Sequence, residues 1–126
     1  MLKPKAITRV LEQATTGGVK ATLLLNSEGS PLAFKSDLDS EARVYAAISS
    51  NIWNTFEKNG KNLLRDDGLK FLLLECEEGN VAMTTVKNML LCLVAKPEVE
   101  LGILKLKIDA LKRHLDEQFQ KVAEYV

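Results

Sequence analysis

The sequence predicts a mixed α/β (α+β) protein, in which helices pack on one antiparallel sheet. Three observations support this class. Five short β-like segments are separated by turn residues at hairpin spacing, which favours antiparallel neighbours. Amphipathic helical segments stand at both ends of the chain and between the second and third strands. The 126 residues, 46% hydrophobic and 27% charged, fit one globular domain over residues 1–126. The predicted order of elements is α-β-β-α-β-β-β-α.

The first helix is predicted from about Lys3 to Ala14. Pro4 suits its first turn, because the N–H that proline lacks has no helical partner there. The apolar residues fall on one face: Ile7, Val10, Leu11 and Ala14. Gly17 and Gly18 are predicted to end this helix.

A hairpin is predicted next. The segment from Ala21 to Asn26 is apolar on both strand faces, so we place it in the interior of the sheet. Gly29 supplies the turn with a residue that tolerates positive φ. The segment from Leu32 to Ser36 is short and ends in polar residues, as edge strands do.

Three more strands are predicted after the second helix: Lys70–Cys76, Val81–Val86 and Met89–Lys96. Glu77 to Asn80 forms the first turn, with Gly79 as its permissive residue. Lys87 and Asn88 leave room for only a very tight second turn. The strand that begins at Met89 is apolar at successive positions, so we place it in the centre of the sheet.

The last helix is predicted from about Glu98 to Glu124. Its apolar residues form a heptad-like stripe: Leu101, Leu104, Ile108, Leu111, Leu115 and Val122. The opposite face is charged. The favoured interpretation is a helix that covers one face of the sheet, and the alternative is an exposed coiled-coil seam for a partner.

The second helix, predicted from Asp39 to Gly60, has an unusually wide apolar face. At 100° per residue its apolar arc spans roughly 200°, against about 100° for an ordinary surface helix. The opposite side carries polar residues: Arg43, Ser50, Asn54 and Glu57. One half of the arc can lie on the sheet. The other half is either covered within the domain, for instance by a long loop, or binds another protein through Trp and Tyr anchors.

The strand KFLLLEC presents a related problem. It follows a loop, so it is a candidate edge strand, yet Phe71 to Leu74 are apolar on both faces. A long apolar edge promotes aggregation unless another strand or a covering element protects it. Pairing with a second subunit would bury this strand and the surplus helical face together.

Composition argues against several functions. Lys plus Arg and Asp plus Glu each total 17, so the basic surface typical of nucleic-acid binding is missing. The longest apolar run, MLLCLVA, is far shorter than the roughly 20 residues of a membrane helix, and we expect no direct membrane insertion. Cys76 and Cys92 lie in apolar runs and are predicted to be buried free thiols.

Residues suited to catalysis or metal binding are also scarce. His114 is the single histidine, which builds neither a usual metal site nor a catalytic triad. The stretch TTGGVKAT lacks the spacing of a phosphate-binding loop. Glu75, Glu77 and Glu78 are interpreted as a solvated hairpin rather than as paired acids. We therefore predict no catalytic residue, no cofactor and no metal ligand.

Five stretches, spread from Met1 to about Lys107, carry a family resemblance: MLKPKAIT, TGGVKATLLLNSEGSPLA, ARVYAAISSNIW, LKFLLLECEEGNVAMTTV and NMLLCLVAK. Together they resemble the roadblock (dynein light-chain) family, and within it the late endosomal and lysosomal adaptors of the Ragulator type. The resemblance implies a five-stranded antiparallel sheet with helices on both faces. It also implies dimerisation through Ala42–Phe56 and Lys70–Cys76, where apolar surface is left over.

The implied partner is a second roadblock-fold subunit in a heterodimer, which a lipidated scaffold subunit would wrap on the cytoplasmic face of the late endosome or lysosome. Away from that scaffold the chain would be cytosolic. By resemblance, the assembly presents Rag GTPases for nutrient signalling to the mTOR complex and tethers MAP kinase pathway components. The residues assigned to the partner interface are Ala42, Tyr45, Ile48, Ser49, Ile52, Trp53, Phe56, Phe71, Leu73 and Glu75.

Two other functions stay open at the level of sequence. One is a homodimeric roadblock protein that acts as a motor light chain or a small-GTPase regulator. The other is a small-ligand sensor or enzyme on a profilin-like α/β fold, although polar residues do not converge in the sequence as such a site requires.

Overall fold

The computed structural model describes residues 4–26, 28–36, 46–56, 71–77 and 79–124, with side chains described for those between 6 and 120. The elements are α1 (Pro4–Ala14), β1 (Val19–Leu25), β2 (Pro31–Ser36), α2 (46–56), β3 (Phe71–Cys76), β4 (Gly79–Val86), β5 (Met89–Ala95) and α3 (Leu101–Glu124). This order confirms the predicted succession of helices and strands. The outer parts of the predicted second helix lie outside the described residues.

The strands form one antiparallel sheet in the order β2-β1-β5-β4-β3. The order confirms that β5 is central, that β1 is interior and that β2 and β3 are the two edges. The physical reason is visible in β5, where Leu91 and Leu93 face one core and Leu90 and Cys92 face the other. A strand that contributes alternate side chains to two apolar layers has to be apolar throughout.

Helices cover both faces of the sheet, as the resemblance implies. On one face, Leu11 of α1 and Leu104 of α3 join a core that includes Leu91 and Leu93. On the other face, Trp53 of α2 packs in a second core. Because a two-sided sheet needs a cover on each face, the chain places two helices on one side and one on the other.

The long helix α3 is a cover for the sheet, as the favoured interpretation predicts. Four residues of the predicted stripe are buried in the first core: Leu104, Ile108, Leu111 and Leu115. The helix begins at Leu101, three residues later than predicted, because residues 97–100 form a turn in which the Val99 N–H donates to the Lys96 carbonyl.

Three of the four predicted turn glycines have the turn roles that the sequence predicts, and the fourth does not. Gly17, Gly18 and Gly29 have positive φ, which confirms their predicted roles at the end of α1 and in the first hairpin. Gly79 is different, because it already belongs to β4, opposite Cys76. A Cβ on Gly79 would lie 2.5 Å from the Ala95 carbonyl oxygen, so this position needs glycine for the close approach of another backbone.

Candidate partner-binding surface

The inward half of α2 is fixed by what it packs on. Ala46 and Trp53 belong to the core between α2 and the sheet, and Trp53 is only 4% exposed. Ser49 and Ser50 are buried beside them. The sequence placed Ser50 on the polar side of the helix, and this was wrong. A Cβ on Gly29 would lie 2.7 Å from the Ser50 hydroxyl, which shows how closely the helix approaches the first hairpin.

The outward half of α2 carries three apolar side chains at spacing i, i+4 and i+8: Ile48, Ile52 and Phe56. We call this set the α2 stripe. Ile48 is 52% exposed, Phe56 is also exposed and Ile52 is half-buried. Residues at this spacing share one side of a helix, so the three form a continuous apolar ridge. The surplus face predicted from the sequence is therefore present in the described part of the helix.

An apolar groove of about 310 Å³ connects the α2 stripe to the sheet. Its lining residues are Lys20, Ile48, Ser49, Ile52, Cys76, Gly79, Val81 and Val94. The groove therefore lies between the helix and the sheet at the end that carries the hairpin between β3 and β4, and it also touches β1 and β5. The groove thus joins the α2 stripe to the end of β3, where Cys76 lies.

The edge strand β3 presents a different side chain pattern on each face. Leu72 and Leu74 pack with the core under α2, while Phe71 and Leu73 pack half-buried against the core under α3. Glu75 is exposed. Among the described strands, β4 is the only hydrogen-bonded neighbour of β3, so the outer edge of an apolar strand faces away from the sheet.

The predicted interface residues fall into three groups. Ala42 and Tyr45 lie outside the described residues. Ser49 and Trp53 are buried between α2 and the chain's own sheet, so their side chains are not accessible to a partner in this structure. The remaining six are at least partly exposed and stay predicted interface residues: Ile48, Ile52, Phe56, Phe71, Leu73 and Glu75.

Sequence reasoning missed Lys20, Val81 and Lys105 as neighbours of this surface. Lys20 and Val81 line the groove, and the Lys105 ammonium lies 4.8 Å from the centroid of the Phe71 ring. Lys20 lies on β1, Val81 on β4 and Lys105 on α3. Their proximity depends on the strand order, and no local pattern in the sequence indicated it.

The two cysteines occupy different environments. Both are free thiols, as predicted. Cys92 is buried in the centre of the sheet, whereas Cys76 is exposed, which corrects the prediction that both are buried. Cys76 stands at the last position of the edge strand, next to the turn, where the apolar run ends. Burial raises the pKa of the Cys92 thiol from 9.0 to about 12, although its hydrogen bond with Ser49 acts in the opposite direction.

The described residues offer little for chemistry. No group of three or more His, Cys, Asp or Glu side chains among them is placed to hold a metal ion. His114 is exposed and lines a shallow groove of about 260 Å³ between α1 and α3, whose other residues include Val10, Ala14 and Lys107. None of the described helices combines the length and apolarity needed to cross a bilayer.

Comparison with known proteins agrees with this geometry. A protein of Caenorhabditis elegans described as "Ragulator complex protein LAMTOR2 homolog" is 30% identical, over 98% of this chain and 97% of the relative. The crystal structure of a Roadblock/LC7 domain from Streptomyces avermitilis superposes with a TM-score of 0.80 at 13% identity, covering 90% of this chain and 97% of that domain. Myxococcus xanthus MglB also gives a TM-score of 0.80, at 17% identity, covering 96% of this chain and 94% of MglB.

These solved structures share the fold at low sequence identity. The family assignment depends on sequence, because the profile of the Roadblock/LC7 domain matches residues 7–95 and the nematode relative matches nearly end to end. The chain therefore belongs to the Roadblock/LC7 domain family.

Proposed function

We propose that this chain is a non-catalytic adaptor subunit that heterodimerises with another roadblock-fold protein. The observation that carries the proposal is the exposed α2 stripe, together with the groove that leads from it to the end of the apolar edge strand β3. Three apolar side chains on one ridge, near a strand with one hydrogen-bonded neighbour among the described strands, are typical of a surface that a partner buries. The similarity to a Ragulator complex protein supports an adaptor role of the Ragulator type.

In this proposal, a lipidated scaffold subunit wraps the heterodimer and holds it on the cytoplasmic face of the late endosome or lysosome. The assembly recruits Rag GTPases for amino-acid signalling to the mTOR complex, and it tethers MAP kinase components. The whole chain acts as one roadblock domain. The partner interface consists of the predicted residues on α2 and β3, with the six exposed ones making the direct contacts.

The proposal is tested with the substitution Ile48→Asp. The chain is co-expressed in turn with each roadblock-fold protein of its source organism. Complexes are purified through an affinity tag on this chain, and light scattering measures their molar mass. We expect one partner to give a 1:1 complex that Ile48→Asp weakens strongly, because burying an unpaired carboxylate in an apolar interface is costly. The loss should be about 2 kcal/mol or more, or roughly 30-fold in Kd.

The matched control is Asn51→Asp, which introduces the same charge on an exposed position of α2 outside the stripe. This variant should keep the complex. Circular dichroism of all three proteins should coincide, since Ile48 is already half in solvent. A complex that survives Ile48→Asp at unchanged affinity would show that the α2 stripe is not the interface.

The second candidate is a homodimeric roadblock protein that acts as a motor light chain or small-GTPase regulator, and the likeness to MglB fits it. It predicts that the purified chain alone forms a tight, discrete dimer that no other roadblock-fold protein displaces.

A further inference from the structure

The groove between α2 and the sheet combines an apolar lining with a single charge. Ile48, Ile52, Val81 and Val94 supply most of the apolar surface, and Lys20 is the only charged side chain in the lining. Lys20 is half-buried, and its ammonium forms no ion pair with the described residues. A charge that is partly removed from water is stabilised when an opposite charge pairs with it. The groove therefore offers a cation for which the described chain supplies no anion.

An irregularity in β1 directs Lys20 into this groove. Val19 and Ala21 lie opposite neighbouring residues of β5, Ala95 and Val94. Lys20 is therefore an extra residue of β1, with no position opposite it on β5. Val19 packs in the core under α3, whereas Ala21 packs in the core under α2. The bulge thus interrupts the alternation of side chains and leaves Lys20 on the side of α2, as bulges beside functional sites do.

Gly79 leaves space next to the Lys20 ammonium. The Nζ atom of Lys20 lies 3.9 Å from the place that a Cβ on Gly79 would occupy. Gly79 also lines the groove, at the start of β4. Because glycine has no side chain, a ligand can approach the backbone closely at such a position. The ammonium is therefore accessible from within the groove.

We propose that this groove binds an amphipathic monocarboxylate, a molecule with an alkyl chain and one terminal carboxylate, of which a medium-chain fatty acid is the simplest example. The alkyl chain lies against Ile48, Ile52 and Val81, and the carboxylate pairs with the Lys20 ammonium. The volume of about 310 Å³ is at the lower end of the range for small-ligand sites, which favours a short chain over a whole lipid. The proposal goes beyond the adaptor function and does not depend on it.

The experiment measures the binding of decanoate to the purified full chain by isothermal titration calorimetry, below the concentration at which decanoate forms micelles. We expect saturable 1:1 binding. Decylamine has the same alkyl chain with the opposite charge, and it should bind at least roughly tenfold more weakly because it brings a second cation to Lys20. Hexanoate should bind at least roughly 30-fold more weakly than decanoate, since each buried methylene changes Kd about fourfold.

Lys20→Met tests the proposed ion pair, because it removes the charge and keeps an unbranched apolar side chain in the groove. The Kd of decanoate should rise at least roughly tenfold, and the preference for decanoate over decylamine should disappear. Lys35→Met is the matched control, since it makes the same change at an exposed lysine of β2 that does not line the groove. It should leave both affinities unchanged.

Val81→Phe tests the position of the alkyl chain independently of the charge. The larger side chain fills part of the groove and leaves Lys20 in place, so decanoate should bind much more weakly. Circular dichroism and thermal melts establish that each variant is folded. In the wild type, decanoate should shift the amide resonances of groove residues, among them Lys20, Gly79 and Val94.

Four results would overturn the proposal. One is the absence of saturable binding of decanoate up to about 1 mM. Another is decylamine that binds as tightly as decanoate. The third is an unchanged Kd of decanoate in Lys20→Met, and the fourth is a set of amide shifts confined to the groove between α1 and α3. None of these results decides the heterodimer proposal, which Ile48→Asp tests separately.

Discussion

At the scale of single residues, similar local sequence leads to different chemistry. Cys76 and Cys92 both stand within two residues of a run of leucines, yet only Cys92 lies on a strand with neighbours on both sides and helices over both faces. Desolvation there raises the pKa of its thiol to about 12, so the reactive thiolate is suppressed. Cys76, at the end of the edge strand, is exposed to solvent.

We expect an alkylating reagent such as iodoacetamide at pH 8 to modify Cys76 and to leave Cys92 intact while the protein is folded. The rates should differ by at least about 100-fold, because both access and thiolate fraction disfavour Cys92. Peptide mass spectrometry over time measures them. In 6 M guanidinium chloride the two rates should converge, and a folded protein that loses both thiols together would contradict the burial of Cys92.

The raised pKa of Cys92 also sets the sign of a pH effect. The unfolded thiol loses its proton near pH 9.0, whereas the folded thiol keeps it until about pH 12. The contribution of this group to stability is therefore complete below pH 9 and declines above it, by about 1.4 kcal/mol per pH unit. Denaturant melts at pH 8 and pH 10 give the free energy of unfolding of the wild type and of Cys92→Ala. The change with pH in the difference between these two free energies isolates the Cys92 thiol from the other titrating residues.

Two glycines give a matched test of backbone packing. Gly79→Ala would force a Cβ to 2.5 Å from the Ala95 carbonyl oxygen, and a backbone atom in the sheet cannot move aside. We expect a loss of roughly 2 kcal/mol or more in the free energy of unfolding. Gly102→Ala, where a Cβ meets nothing within 4 Å, should be neutral or stabilise by up to about 1 kcal/mol. Urea unfolding of both variants measures the contrast, and equal effects would refute it.

At the scale of elements, the orientation of each helix depends on what lies beneath it. On α3, Leu104 is buried in the core, while Leu106, two residues later, is 70% exposed. On α2, Trp53 faces the sheet and Ile48 faces outward. Amphipathicity predicted helices at both places, but burial against the sheet decides which apolar residues support the fold and which remain for a partner.

The two leucines of α3 make this difference measurable. Leu104→Ala should destabilise the protein by about 2–5 kcal/mol, because it leaves a cavity in the core beneath α3. Leu106→Ala should change the free energy of unfolding by less than about 0.5 kcal/mol, because its side chain is already in solvent. Equilibrium unfolding in urea compares the same substitution at both positions. A large loss for Leu106→Ala would mean that α3 is rotated on the sheet relative to the structure.

At the scale of the whole molecule, the sheet has two edges with different character. β2 begins with Pro31 and ends in Lys35 and Ser36, and proline and lysine on an edge strand discourage pairing with another strand. β3 is largely apolar. Its last residue, Cys76, lines the groove together with Ile48 and Ile52 of the α2 stripe. A single surface for association is therefore expected at the β3 end of the sheet.

Hydrogen exchange should report this asymmetry. In the isolated chain we expect the slowest amide exchange in β5, which is bonded on both sides, and faster exchange in β2 and β3. On association, amides of β3 should gain protection, because pairing satisfies its outer N–H groups, while those of β2 should not change. Mass spectrometry of peptides from both edges distinguishes the outcomes, and protection gained by β2 alone would place the interface at the opposite edge.

The sequence by itself determined the class of fold, the order of the elements and the central place of β5, because these follow from local periodicity and turn chemistry. It also located the surplus apolar surface on α2 and β3, since a helix with an arc of roughly 200° cannot bury all of it on one sheet. These features depend on residues that are close together in the chain.

Only the tertiary structure decided which half of α2 faces inward, with Trp53 on the sheet, Ser50 against the first hairpin and Ile48 outside. It alone showed that Gly79 is needed for the approach of Ala95 and that Lys105 lies over Phe71. The physical reason is the same each time. These contacts join residues far apart in the sequence, and the strand order and helix orientation that bring them together are set by packing over the whole sheet.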